Sequence, residues 1–237
     1  MKNNPLVNVI IPVYNGEKYL GAAIESLLSQ TYKPDKIIVV DDGSTDKSAE
    51  IARSFAPLVQ YSYIEHSGVS VAVNHGISLC DGDLIGFLDA DDLWLANKLA
   101  LQVATFQANP EIDAVFCHLK QFKSPELSQE SKNKLKINIE AIPAYDRDAL
   151  LITRSSLNRV GLFKPEIKMG EFIDWYLRAS EQGLKSIMLP NILVERRLHK
   201  TNMGIRDRQS RVEYVRILKA SLDRRRQLGV IPNPQEI

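Results

Sequence analysis

An apolar run, residues 84–88 (Leu-Ile-Gly-Phe-Leu), is followed at once by Asp89-Ala90-Asp91-Asp92. A run with no polar residue reads as a strand buried on both faces, as strands are in parallel sheets. Carboxylates released at the C-terminal end of such a strand fall where open α/β sheets bind their ligands. Their oxygen donors suit a hard divalent cation, Mn2+ or Mg2+ rather than Zn2+. A cation in that place suits a phosphate-bearing substrate. Two further polar clusters end apolar runs in the same manner: Tyr14-Asn15-Gly16-Glu17 after residues 7–11, and Asp41-Asp42-Gly43-Ser44 after residues 37–40. Residues 41–45 alone read equally well as a hydrogen-bonded turn. A parallel sheet would gather all three clusters along one edge.

The elements needed to do so are legible as periodicity. Strands are predicted over residues 7–11, 37–40, 59–64, 84–88 and 113–117, and helices over 19–29, 46–55, 69–79 and 95–106. Strands spaced by helices of this length are βαβ units, so the first half is an open, mainly parallel sheet flanked by helices. Periodicity fades over residues 120–142, which read as an excursion. Helices follow over 149–160 and 171–182, the second stopped by Gly183, with extended pieces at 185–189 and 192–198. A last helix over 210–228 spaces Val212, Val215, Leu218 and Leu222 among many charges, before a frayed tail around Pro232-Asn233-Pro234. Its apolar seam is expected to pack on its own domain, the ordinary fate of an amphipathic helix. Dimerisation and contact with anionic lipid are the other uses for it.

Composition narrows the classes. A chain of 237 residues can fold as one sizeable domain. It divides into 1–118, carrying the acidic strand ends, 119–205, and the helix and tail at 206–237. A net charge of +1 gives no global attraction to nucleic acid, although basic residues collect late, from Arg196 to Arg226. With two cysteines, Cys80 and Cys117, a disulfide framework is not expected. No signal peptide or membrane-spanning run is evident, so a cytoplasmic protein is expected, with peripheral contact at the inner membrane face left open. The first loop lacks the glycine-rich dinucleotide fingerprint, and no phosphate loop ending Gly-Lys-Ser/Thr occurs.

Taken in order, the segments Val9-Ile10-Ile11-Pro12-Val13-Tyr14-Asn15-Gly16, Leu27-Leu28-Ser29-Gln30-Thr31-Tyr32, Ile37 through Asp46, Ala72-Val73-Asn74-His75-Gly76-Ile77 and Gly82 through Asp92 resemble the family 2 glycosyltransferases of the GT-A fold. The likeness is strong over residues 7–106 and weaker from 154 to 202. It implies metal-dependent, inverting transfer of a sugar from a nucleotide diphosphate, usually a uridine one, to a glycan, lipid-linked or peptide acceptor. By the same resemblance Pro12, Tyr14 and Glu17 line the base and ribose side, Asp41 reads the uracil edge and Asn74 sits near the nucleotide. Asp89 and Ala90 face the ribose and sugar, Asp91 binds the metal, and His199 completes the metal site or touches the diphosphate. Where the family often has Arg, this chain has Val73.

The family's base is commonly the Asp of a Glu-Asp pair opening a helix. Here that stretch reads Gly170-Glu171-Phe172-Ile173-Asp174-Trp175, with Phe172 in the usual Asp position. Glu171 and Asp174 share a helix face three residues apart, so both are candidates. Both also lie where negative charge favours a helix start without any catalysis. Trp175 fits the core, or a platform for an acceptor sugar. The departure at Phe172 motivates a rival, a catalytically impaired sugar-nucleotide-binding protein of the same fold. A nucleotidyltransferase fits less well, lacking a glycine- and arginine-rich first loop. Residues 120–142 and the loop 198–208 are candidates for acceptor contacts or a closing lid.

Overall fold

The computed structural model describes residues 4–134, 137, 140–199, 211–227 and 229. Among these, strands β1 (Val7–Val13), β2 (Lys36–Asp42), β3 (Val59–Ile64), β4 (Leu84–Phe87), β5 (Leu93–Trp94), β6 (Ala114–Lys123), β7 (Ile142–Ala144), β8 (Leu151–Thr153) and β9 (Ser186–Leu198) form one sheet. Its order is β3-β2-β1-β4-β8-β6-β9-β5, with β7 paired to β6. The block β3-β2-β1-β4 is parallel, and β8 enters antiparallel between β4 and β6. Helices α1 (Leu20–Leu28), α2 (Ser48–Ser54), α3 (Val69–Ser78) and α4 (Lys98–Ala108) make the crossovers, and the short α5 (Gln129–Lys134) follows β6. Then come α6 (Arg154–Val160), α7 (Glu171–Glu181) and α8 (Arg211–Gln227).

β1 is buried along its whole length, in keeping with its β-branched sequence and central place. Pro12 is tolerated there because β4 pairs with β1 only as far as Ile10, so the absent N–H costs no bond on that side. Helix α3 lies close on β1 through Gly76, where a Cβ would come within 2.5 Å of Ile10 Cγ2. That close approach fixes where the start of α3 meets the end of β1.

Three expectations change. Residues 149–153 are not helical. Ala149, Leu150, Leu151 and Ile152 are all fully buried, which an amphipathic helix does not permit and a central strand does, so β8 precedes a shorter α6 capped by Thr153. The extended pieces at 185–189 and 192–198 are one strand, β9, which pairs with β6 across an irregularity at Pro190-Asn191. The seam of α8 is not buried: Ile217 and Ser221 face the protein, while Val212, Val215, Leu218 and Leu222 are exposed. The tail at 232–234 and most of the loop 198–208 lie outside the described residues. No helix among the described residues is long and apolar enough to cross a membrane.

Candidate active site

The C-terminal ends of β1, β2 and β4 open into one cleft of about 1070 Å³, lined in part by Pro12, Tyr14 and Glu17, by Asp89, Ala90 and Asp91, and by His199. The parallel register makes this so, setting Val13 beside Asp41 and Ile10 beside Phe87. The first two loops are laced together: Asn15 Oδ1 accepts from Thr45 N–H at 2.8 Å, and Glu17 Oε2 from Lys47 N–H at 3.1 Å. Asn15 has φ +52°, a conformation that asparagine tolerates better than most residues.

Carboxylate oxygens of Asp89, Asp91 and Asp92 lie within 4.8 Å of one another. Their loop is pinned from two sides. Asp89 N–H donates to Asp148 Oδ1 at 2.7 Å. From the end of β9, Arg197 N–H donates to Asp92 Oδ1 at 2.7 Å and Arg197 Nε to the Asp91 carbonyl at 3.0 Å. His199, just beyond β9, brings Nε2 to 2.8 Å from Asp91 Oδ2, with its ring 4.8 Å from that of Tyr19. An all-oxygen cluster with one imidazole beside it fits a hard divalent cation. Asp92, 3% exposed, forms the back wall, so Asp89 and Asp91 present the accessible oxygens.

Burial, then the Asp91 carboxylate, pushes Asp92 up to about 8. Burial, then Asp89, raises Asp148 well above the usual carboxylate range. The Asp92 carboxylate adds to the upward push on Asp148, beneath the cluster. Trp94 Nε1 donates to the Asp148 carbonyl at 3.0 Å, and the wholly buried Lys98 lies 3.6 Å over the Trp94 ring. Desolvation lowers Lys98 to about 8.

Residues 146–148 are the part of the site that sequence reasoning passed over. Buried Arg147 lines the cleft, donates from Nη1 to Glu171 Oε1 at 3.0 Å, and pairs through Nη2 with Asp89. Asp146 pairs with Arg196 at 3.2 Å. A signal was present: Asp146-Arg147-Asp148 stands directly before an apolar run, as Asp89 stands directly after one. Since β8 runs antiparallel to β4, the start of one lies beside the end of the other. Tyr19, Lys18 and Ser124 were passed over too; all three meet Glu126 at the rim, Lys18 at 2.7 Å and Ser124 at 2.5 Å.

Other candidate residues lie elsewhere. Asp41 is buried behind the lining, accepting from Ser44 N–H and Tyr61 Oη, both at 2.8 Å. Asn74 uses its amide on the backbone of Phe163, donating at 2.7 Å and accepting at 3.0 Å, and does not line the cleft. Asp174, 1% exposed, pairs with Arg178 at 2.9 Å and Lys164 at 3.4 Å, away from the cleft. Phe172 is buried in an aromatic cluster, its ring centroid 5.9 Å from Trp175 and 6.3 Å from Tyr176. Trp175 is fully buried as well, so it is core and not a sugar platform.

A mostly parallel sheet with carboxylates at its open edge and a cleft across β1 and β4 defines a GT-A-type transferase architecture. The family model described as glycosyl transferase family 2 matches residues 8–164, and the chain belongs to that family. It is 35% identical over 217 residues to an uncharacterized glycosyltransferase of Rickettsia typhi, covering 84% of this chain and 67% of that one. Chondroitin synthase of Escherichia coli is 28% identical over 239 residues, covering 94% of this chain but 34% of the synthase. Among solved structures, S. aureus TarS 1-349 in complex with UDP-GlcNAc superposes with TM-score 0.74 at 20% identity, over 91% of this chain and 65% of that one. A mannosyltransferase from Pyrobaculum calidifontis, in complex with GDP-Man and Mn2+, superposes with TM-score 0.64 at 21% identity, over 94% and 64%. At these identities the superpositions establish the fold.

Proposed function

We propose that this chain transfers a sugar, with inversion, from a uridine diphosphate donor to a hydroxyl of a glycan, lipid-linked or peptide acceptor. The observation that carries the reading is the Asp89-Asp91-Asp92 cluster in the cleft, with Glu171 joined to Asp89 through Arg147, which also lines the cleft. Residues 1–118 bind the donor and 119–205 supply the acceptor side. Pro12, Tyr14 and Glu17 flank the base and ribose, with Asp41 shaping the loop behind them. Asp89 and Ala90 face the ribose and sugar, and Asp91 with His199 would hold Mn2+ or Mg2+. Such an ion supplies charge stabilisation for a departing diphosphate.

Glu171 takes the acceptor proton as general base. It opens α7 and meets the cleft-lining Arg147, whereas Asp174 is committed to ion pairs and Phe172 to the core. Two structural neighbours support a nucleotide diphosphate sugar as donor, the first of them a uridine one: TarS was solved with UDP-GlcNAc, the mannosyltransferase with GDP-Man and Mn2+.

Calorimetry with UDP-GlcNAc, other uridine diphosphate sugars and GDP-mannose, each with Mn2+, Mg2+ or chelator, tests this reading. Metal-dependent binding of a uridine diphosphate sugar that Asp91→Asn weakens is the expected result. Folded protein that binds none of them would refute it. Metal-dependent binding with neither transfer nor donor hydrolysis would favour the impaired binding protein, which the core position of Phe172 keeps in view.

A further inference from the structure

A buried hydroxyl at the far end of the cleft has no partner. Ser70, 4% exposed, lines the cleft, and its Oγ makes no hydrogen bond. Leaving a buried hydroxyl unpaired forfeits its hydration with no return, so such groups in native folds call for an explanation.

Ser70 is the second residue of α3, a ten-residue helix that begins after Gly68 (φ +96°), with no side chain capping it. The first acceptor inside the helix is the Gly68 carbonyl, which takes Val71 N–H at 3.0 Å. The N–H groups of Val69 and Ser70 come before it, and a helix gives such groups no partner of its own. Donors and a positive dipole end therefore converge beside the unpaired hydroxyl.

The surroundings choose between an anion and a neutral oxygen. The Asp42 carboxylate sits against the same turn, accepting from Ser67 N–H at 2.7 Å and Gly68 N–H at 2.9 Å. A phosphate placed there would meet that carboxylate, whereas a carbonyl oxygen carries no net charge to repel. At the same end the Tyr14 and His66 rings stack at 4.1 Å, and Tyr14 is 50% exposed, so a planar ring has a face to lie on.

We propose that Ser70 Oγ and the first-turn N–H groups of α3 donate to a ring carbonyl of the donor's pyrimidine base, making Ser70 a specificity-determining residue of the donor site. The inference rests on the uridine diphosphate reading above and adds the group that recognises the base.

Ser70→Ala tests it, with UDP and ADP as probes in the presence of Mn2+. ADP has the same ribose and diphosphate and no ring carbonyl. One neutral hydrogen bond lost should weaken UDP several-fold, up to about tenfold, and leave ADP, followed by competition, unchanged. The melting temperature should hold or rise, since the variant loses an unpaired buried hydroxyl. Equal UDP affinity in both proteins overturns the inference while the donor reading stands. Equal weakening of UDP and ADP overturns it too, by placing the hydroxyl on ribose or phosphate, and a fall in melting temperature that accompanies it marks a structural role. Wild-type protein that binds no UDP removes the donor reading, and this inference with it.

Discussion

Arg147 Nη1 lies 3.0 Å from Glu171 Oε1, and the other terminal nitrogen of the same guanidinium holds Asp89. One buried cation thus joins the carboxylate that ends β4 to the carboxylate that opens α7. Lysine has the charge but not the fork, and cannot hold both groups in this geometry.

Arg147→Met should therefore harm both ends at once. Two carboxylates lose their partner, at a cost of about 3 kcal/mol, the lower end for a broken buried pair because Asp89 still reaches solvent. Arg147→Lys should keep most of the stability and lose most of the turnover. Chemical denaturation beside donor turnover would show this. Full activity in Arg147→Lys would mean that the bridge is not needed for the chemistry.

Glu171 and Asp174 should separate cleanly. Glu171→Gln keeps the hydrogen-bonding shape near Arg147 and should lower turnover by about 10²–10⁴ while leaving UDP binding near wild type. Asp174→Asn unbalances Arg178 and Lys164 and should appear first as a lower melting temperature, with activity following the folded fraction. The reverse pattern would move the base to Asp174.

Restoring the usual family residue should not restore a base. The Phe172 ring packs among Phe163, Trp175 and Tyr176, so Phe172→Asp would bury an unpaired carboxylate and remove an aromatic from the core. A loss of at least about 3–5 kcal/mol is expected, with no gain in turnover. Higher activity from a folded Phe172→Asp variant would show that this side chain can reach the cleft.

What the sequence revealed and what it hid follow from the range of the interactions. Strands β1 to β4 and their crossover helices were legible because each carries its own periodicity. The Asp89-Ala90-Asp91-Asp92 cluster was legible because it ends such a strand. The role of residues 149–153 was hidden, since a short apolar run reads as helix or strand until its neighbours are known, and β8 owes its form to β4 and β6. Arg147 was hidden for the same reason: its partners Asp89 and Glu171 become neighbours only once β8 inserts. Asp174 and Asn74 had suitable residue types, but only the fold shows that Arg178 and Phe163 already engage them.

The attachment of α8 should be sensitive to acid. With Val212, Val215, Leu218 and Leu222 outward, the helix is held through Ile217, Ser221 and Arg224. Glu181 on α7 accepts from Arg224 Nε at 2.6 Å, Arg224 Nη2 at 3.1 Å and Ser221 Oγ at 2.6 Å. Burial pushes this carboxyl up, but the bonds from Arg224 and Ser221 outweigh it and hold the group below the ordinary glutamate value. On acidification the unfolded chain therefore takes its proton first. The stabilisation, about 2 kcal/mol for bonds to a charged group, is complete above the unfolded value near 4.3 and fades as pH falls through the folded one. Wild type and Glu181→Gln should thus differ in melting temperature by a constant amount from neutral pH to about 5, and converge below about 4. A gap that persists unchanged to pH 3 would show that the charge on Glu181 is not what secures α8, leaving Ile217 packing to hold it.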